Sequence, residues 1–121
     1  VTTFLTLEEA LAIGAAVTGG PVELRDAGLL EAALARPRTT VFGQDAYPSL
    51  QEKAAALLHS IVTNHPLVDG NKRLGFACTA IFLRINASPL TLDQDAAYEL
   101  VIAVAEGSLR DLGQIATALR G

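Results

Sequence analysis

Between Asn71 and Arg84 the chain reads NKRLGFACTAIFLR, and the ten residues from Leu74 to Leu83 carry no charge. A helix through this stretch is apolar nearly all round, so other elements must enclose it on most sides. Ten uncharged residues are about half of what a bilayer crossing needs, so those elements must be protein. Alanine and leucine make up 40 of the 121 residues and aromatics only 5%. That composition favours helices. The expected fold is therefore all-α, a compact single-domain bundle of about six helices, residues 1–121, around a buried central helix. A chain of this length buries roughly two-thirds of its unfolded surface.

Capping residues mark the helices. Thr6 and Glu9 form a T-x-x-E capping box that opens a helix to about Val17, and TGGP at 18–21 stops it. A short helix, Asp26 to Arg36, ends before Pro37. Segment 37–48, PRTTVFGQDAYP, reads as an ordered loop or a turn of helix, its Gly and Pro arguing against a strand. Ser49 and Glu52 make a second capping box, and a helix follows to Asn64. The central helix, Asn71 to Arg84, closes at NASP. Asp93 caps the next helix, which ends at Glu106 before Gly107, and Ser108 is expected to start the last one, to about Leu119.

A net charge of -4 and a pI near 5.0 exclude a phosphate-backbone binder as the leading function. The single cysteine, Cys78, precludes an internal disulfide, suits a reducing cytoplasm, and reads as a small core hydrophobe within FACTAIFL. The first ten residues show no basic leader, so no secretory signal is expected. A mean hydropathy of +0.36 is high for a chain without a membrane segment. It suggests an apolar groove covered by a partner, with Leu7, Leu11 and the Leu29–Leu34 face as candidate walls.

Against this aliphatic background, HPLVDGNKR at 65–73 concentrates polarity in the connection between two helices. Pro66 forces a turn after His65. Gly70 and Asn71 open the next helix, and Lys72 and Arg73 fall in its first turn. A helix N-terminus already carries about half a positive charge, so two cations there are misplaced unless an anion joins them. Free N–H groups, a glycine and two cations suit a phosphate. Asp69 would repel that phosphate unless a divalent ion lay between them, and Mg²⁺ takes one or two carboxylates together with phosphate oxygens. His65 stands at the rim, where an imidazole suits general-base work. Taken singly, Asp69 or Asn71 is equally readable as an N-cap and His65 as a helix terminus. The combination selects the phosphate site.

HPLVDGNKR closely resembles the Fic/Doc signature, H-x-F-x-[D/N]-[A/G]-N-K-R in its Doc branch, at eight of nine positions. LRDAGLLEAALARPRTTVFG and ACTAIFLRINA are similar to their counterparts in Doc-type "death on curing" toxins. Lys72 stands where AMP-transferring Fic enzymes have glycine, and Phe76 where they have a second arginine. Leu67 replaces the usual phenylalanine, and Ala77 an asparagine found in a bacteriophage member. The resemblance implies an all-helical protein kinase that uses ATP and Mg²⁺, phosphorylates a threonine of elongation factor Tu, arrests translation and is restrained by a Phd-like antitoxin. It implies His65 as the base, Asp69 as the Mg²⁺ ligand, and Gly70 and Asn71 as phosphate contacts. Lys72 and Arg73 would neutralise the charge of transfer. His59 is expected to be dispensable. The alternatives are an AMP-transferase and a catalytically inactive antitoxin-binding module.

Overall fold

The computed structural model describes residues 1–121. It contains six α-helices: α1 (Leu7–Thr18), α2 (Ala27–Ala35), α3 (Leu50–Asn64), α4 (Asn71–Ile85), α5 (Gln94–Glu106) and α6 (Leu112–Arg120). A single 3-10 turn, Arg36–Arg38, follows α2. The capping boxes expected at Thr6 and Ser49 are both formed, and Asp93 accepts from the Ala96 N–H at 2.8 Å. Such caps each contribute about 1 kcal/mol, enough to fix where a helix begins.

α3 and α4 pack most closely and share the centre, with α3 also touching α2, α5 and α6. The deepest element is α3 rather than α4, because Ala54, Ala55 and Ala56 let neighbours approach from several sides. The close approach of the two central helices depends on Gly75. A Cβ there would lie 2.6 Å from Cγ1 of Val62, so any larger residue would push α4 off α3. Phe82 of α4 is buried and stacks on Phe4 of the N-terminal segment, ring centroids 6.1 Å apart. No helix is long and apolar enough to cross a membrane.

Two expectations need correction. Segment 37–48 does contain strands, β1 (Thr40–Val41) and β2 (Gln44–Asp45), paired antiparallel with Thr40 opposite Asp45. The glycine that argued against a strand occupies the turn instead: Phe42 and Gly43 have φ of 52° and 77°, both positive as tight hairpin turns require. The buried Lys53 anchors this hairpin to α3, donating to Asp45 Oδ2 at 3.0 Å and to the carbonyl of Tyr47. The last helix begins at Leu112, not Ser108, and Asp111 is its cap. Ser108 turns its hydroxyl back to the Ala103 carbonyl at 3.1 Å, so it finishes α5 instead of opening α6.

The leucines expected to line a groove are divided. Leu30 and Leu34 belong to the core, so the α2 face is interior; Leu7 and Leu11 are half-buried against it.

His59 faces away from the polar loop. Its Nδ1 accepts from the Arg36 guanidinium at 3.1 Å, and Arg36 also donates to Ser60 Oγ and Tyr47 Oη. Burial, and then the Arg36 charge, hold the His59 pKa below its ordinary 6.5, so folding favours the neutral ring. The unfolded chain takes up the proton more readily. This contribution to stability is complete above about pH 6.5 and is lost as the pH falls toward the folded value. Thermal unfolding followed downward from neutral pH should therefore show Tm falling more steeply in the wild type than in His59→Gln. Parallel curves would remove His59 from the acid response.

Candidate active site

The polar loop is a sharp reversal between the two central helices. α3 ends at Asn64, and His65 follows in the left-handed conformation, φ 52° and ψ 62°. This backbone is costly for a residue other than glycine, so its surroundings must hold it. Arg25 does so from 40 residues away. Its Nε donates to the His65 carbonyl and its Nη2 to the Asn64 carbonyl, each at 2.7 Å. A cation at a helix C-terminus also suits the dipole there. Segment 23–26 is joined to the loop by its backbone as well. The N–H groups of Arg25 and Asp26 donate to the Pro66 carbonyl, and Val68 N–H donates to Glu23. Leu24 and Leu67 form an antiparallel bridge.

Leu67, which stands in place of the usual phenylalanine, is 1% exposed and belongs to the core. The Asn71 amide grips its backbone: Oδ1 accepts from Leu67 N–H at 2.8 Å and Nδ2 donates to its carbonyl at 3.0 Å. This amends the reading of Asn71 as an amide contact to phosphate. Both ends of its amide are engaged with the loop, leaving chiefly the backbone N–H for an anion.

Gly70 is the N-cap of α4, buried, with φ 88°. Only glycine holds this conformation without strain. A Cβ would also sit 3.1 Å from Thr18 Cγ2. Neither Asp69 nor Asn71 caps the helix. Asp69 Oδ1 accepts from the adjoining Gly70 N–H at 2.8 Å, and α4 has no side-chain cap. Its first N–H groups, on Asn71, Lys72 and Arg73, find no partner in the chain. The other five α-helices all begin with a Thr, Ser or Asp that accepts such a bond.

His65, Asp69, Gly70, Asn71, Lys72 and Arg73 all line one open cleft of about 380 Å³, bounded across from the loop by Tyr98 and Ile102 of α5. The Arg73 guanidinium and the Asp69 carboxylate are largely exposed and 4.0 Å apart, a loose pair free to engage a ligand. Cys78 takes no part; it is fully buried, and burial pushes its thiol up to about 12.

The sequence reasoning missed Arg25, Tyr98 and Ile102. Nothing local to ELRD announces that its arginine reaches the end of a helix 40 residues away. Tyr98 left a weak signal, as a large aromatic on an exposed helical face.

A left-handed histidine, an uncapped helix N-terminus and two cations thus share one cleft. The Fic/DOC family model matches residues 4–83, and the chain belongs to that family. Over 123 aligned residues it is 48% identical to Toxin Doc of Mycolicibacterium smegmatis, covering 100% of this chain and 94% of that protein.

Arg25 is expected to act on His65 by position alone. Removing its two bonds in Arg25→Ala should lower the rate of any His65-dependent reaction about tenfold or more, the sensitivity of aligned groups to small displacements. Nucleotide affinity should hold, and Arg25→Lys should restore part of the rate. Unchanged kcat in Arg25→Ala would show that the loop holds His65 unaided.

Proposed function

We propose that this protein is a Doc-type toxin of a toxin–antitoxin pair and acts as a protein kinase. In this reading it transfers the terminal phosphate of ATP to a threonine of elongation factor Tu, and a Phd-like antitoxin restrains it. The observation that carries the reading is the uncapped N-terminus of α4. Its free N–H groups, with Lys72 and Arg73, lie in one cleft with His65.

His65 accepts the proton of the acceptor hydroxyl as its oxygen attacks the terminal phosphorus, and ADP departs as the bridging P–O bond breaks. Lys72, Arg73 and the N–H groups meet the negative charge on the transferring group, where most of the catalytic advantage of phosphoryl transfer resides.

The donor set for Mg²⁺ is small. No cluster of three or more His, Cys, Asp or Glu side chains exists in the chain. That excludes an all-protein cage but fits an ion held by one carboxylate and by phosphate oxygens. Asp69 is the carboxylate available, its Oδ2 being free of any bond shorter than the loose contact with Arg73. A bound Mg²⁺ supplies charge neutralisation on the phosphates.

Lys72 and Phe76 favour phosphate transfer over AMP transfer, because they stand where AMP-transferring enzymes of this resemblance have glycine and arginine. The purified chain should be incubated with elongation factor Tu and ATP labelled at either the γ or the α phosphate. Label from the γ position alone is expected on the threonine. Label from the α position would establish an AMP-transferase, and no label at all an inactive binding module.

A further inference from the structure

Between α2 and α3 lies an open cavity of about 460 Å³ that shares no lining residue with the candidate cleft. Arg36, Thr39, Ser60 and Asn64 supply its polar lining, and alanines of α2, Ala32 and Ala35 among them, supply the rest. No acid lines it, and Arg36 is its one cation. The ion pairs of the chain are Lys53 with Asp45 and Arg73 with Asp69, so Arg36, half-buried, has no carboxylate partner. Its Nε is spent on Tyr47 and its Nη1 protons on His59 and Ser60, which leaves the Nη2 protons without an acceptor. Ser60 is 4% exposed. Its oxygen accepts from Arg36 at 2.9 Å, while its own proton meets no acceptor in the chain. Several donors thus face one cavity with nothing to receive them.

We propose that this cavity binds a small carboxylic acid in its ionised form. The carboxylate accepts from Arg36 Nη2 and from the Ser60 hydroxyl, with Thr39 and Asn64 beside it, and a short aliphatic body rests on the alanines. Charge balance selects this class. A half-buried cation without a counter-charge is matched by an anion of single charge, and hydrogen bonds between ionised partners are the stronger kind. A phosphate dianion would leave one charge uncompensated, in a chain whose net charge is already -4. Ser60 and Asn64 lie one turn apart on α3, and Asn64 immediately precedes His65. The Asn64 carbonyl is also one of those that Arg25 holds. A ligand here therefore meets the helix end that carries His65, from a cavity the phosphate cleft does not use. The assignment stands whether or not that cleft binds ATP.

The test titrates butyrate into the full isotope-labelled chain and follows the backbone amide signals, with butyramide and inorganic phosphate as comparisons. Saturable shifts are expected at Thr39, Ser60 and Asn64, with a Kd on the order of 1–10 mM, ordinary for so small a ligand. Butyramide keeps the body and loses the charge, and should bind at least about tenfold more weakly. Phosphate should move these three amides no more than butyramide does. Ser60→Ala should weaken butyrate about tenfold and Thr39→Val, at an exposed position, about threefold. If Ser60→Ala fails to fold, Thr39→Val decides. No saturation by about 100 mM butyrate overturns the site. So does an equal response to butyramide, which would make the cavity a merely apolar one. Tighter binding of phosphate than of butyrate overturns the ligand class. Shifts confined to Asn71, Lys72 and Arg73 overturn the location, placing the carboxylate in the other cleft.

Discussion

His65→Ala is expected to lower phosphoryl transfer by about 10²–10⁴, the usual contribution of a positioned general base, while ATP affinity changes little. Alanine also removes a side chain from a left-handed position, φ 52°, so a modest loss of stability should accompany the loss of rate. His65→Asn separates the two effects. Asparagine tolerates this backbone better than alanine and cannot serve as the base. Transfer should therefore stay low in both variants, while thermal stability recovers in His65→Asn. Wild-type rates in either would remove His65 from proton transfer. His59→Gln is the control, because His59 lies in the Arg36 cluster and does not line the cleft.

The second large effect is expected at Asn71. In Asn71→Ala the N–H and carbonyl of Leu67 lose both of their side-chain bonds at a residue 1% exposed. A buried polar group left without a partner costs about 1–3 kcal/mol, so the pair places the loss at roughly 2–6 kcal/mol. For a domain of this size that is a fall in Tm on the order of 10 °C or more. Activity should fall as well, since Leu67 and His65 share one loop. Asn71→Asp keeps the acceptor for the Leu67 N–H but sets a carboxylate oxygen against the Leu67 carbonyl. It should be nearly as unstable as Asn71→Ala. A Tm within about 2 °C of wild type in Asn71→Ala would show that the loop repacks without the amide.

What could be read from the sequence was what depends on neighbours in the chain. Thr6 with Glu9 and Ser49 with Glu52 satisfy their helix ends within four residues, so their boundaries were legible. The same holds for the cleft, whose six predicted residues all come from a nine-residue stretch. Contributions from distant segments were not legible. Arg25 reaches the end of α3 across 40 residues, and Tyr98 closes the cleft from another helix. Local competition misled in two places. Ser108 and Asp111 both suit a helix start, and the turn at Gly107 draws Ser108 back to Ala103, leaving Asp111 to begin α6. In the hairpin, Phe42 adopts a backbone more typical of glycine or asparagine, which composition did not suggest. Asn71 was assigned to the ligand on the strength of its motif, whereas its amide is spent holding the loop in shape.

The missing cap on α4 makes folding and occupancy two readings of one equilibrium. Five helices are completed by their own sequence, whereas α4 begins with three N–H groups that, in the proposed function, an anion completes. The amide protons of Asn71, Lys72 and Arg73 should exchange with solvent rapidly in the free protein and slow down when a phosphate accepts from them. By linkage, each tenfold rise in a saturating ligand adds about 1.4 kcal/mol to the stability of the whole bundle. If the proposed ATP site holds, the resistance of this chain to proteolysis should follow the nucleotide concentration around it, so that the same protein is less durable when nucleotide is scarce than when it is plentiful.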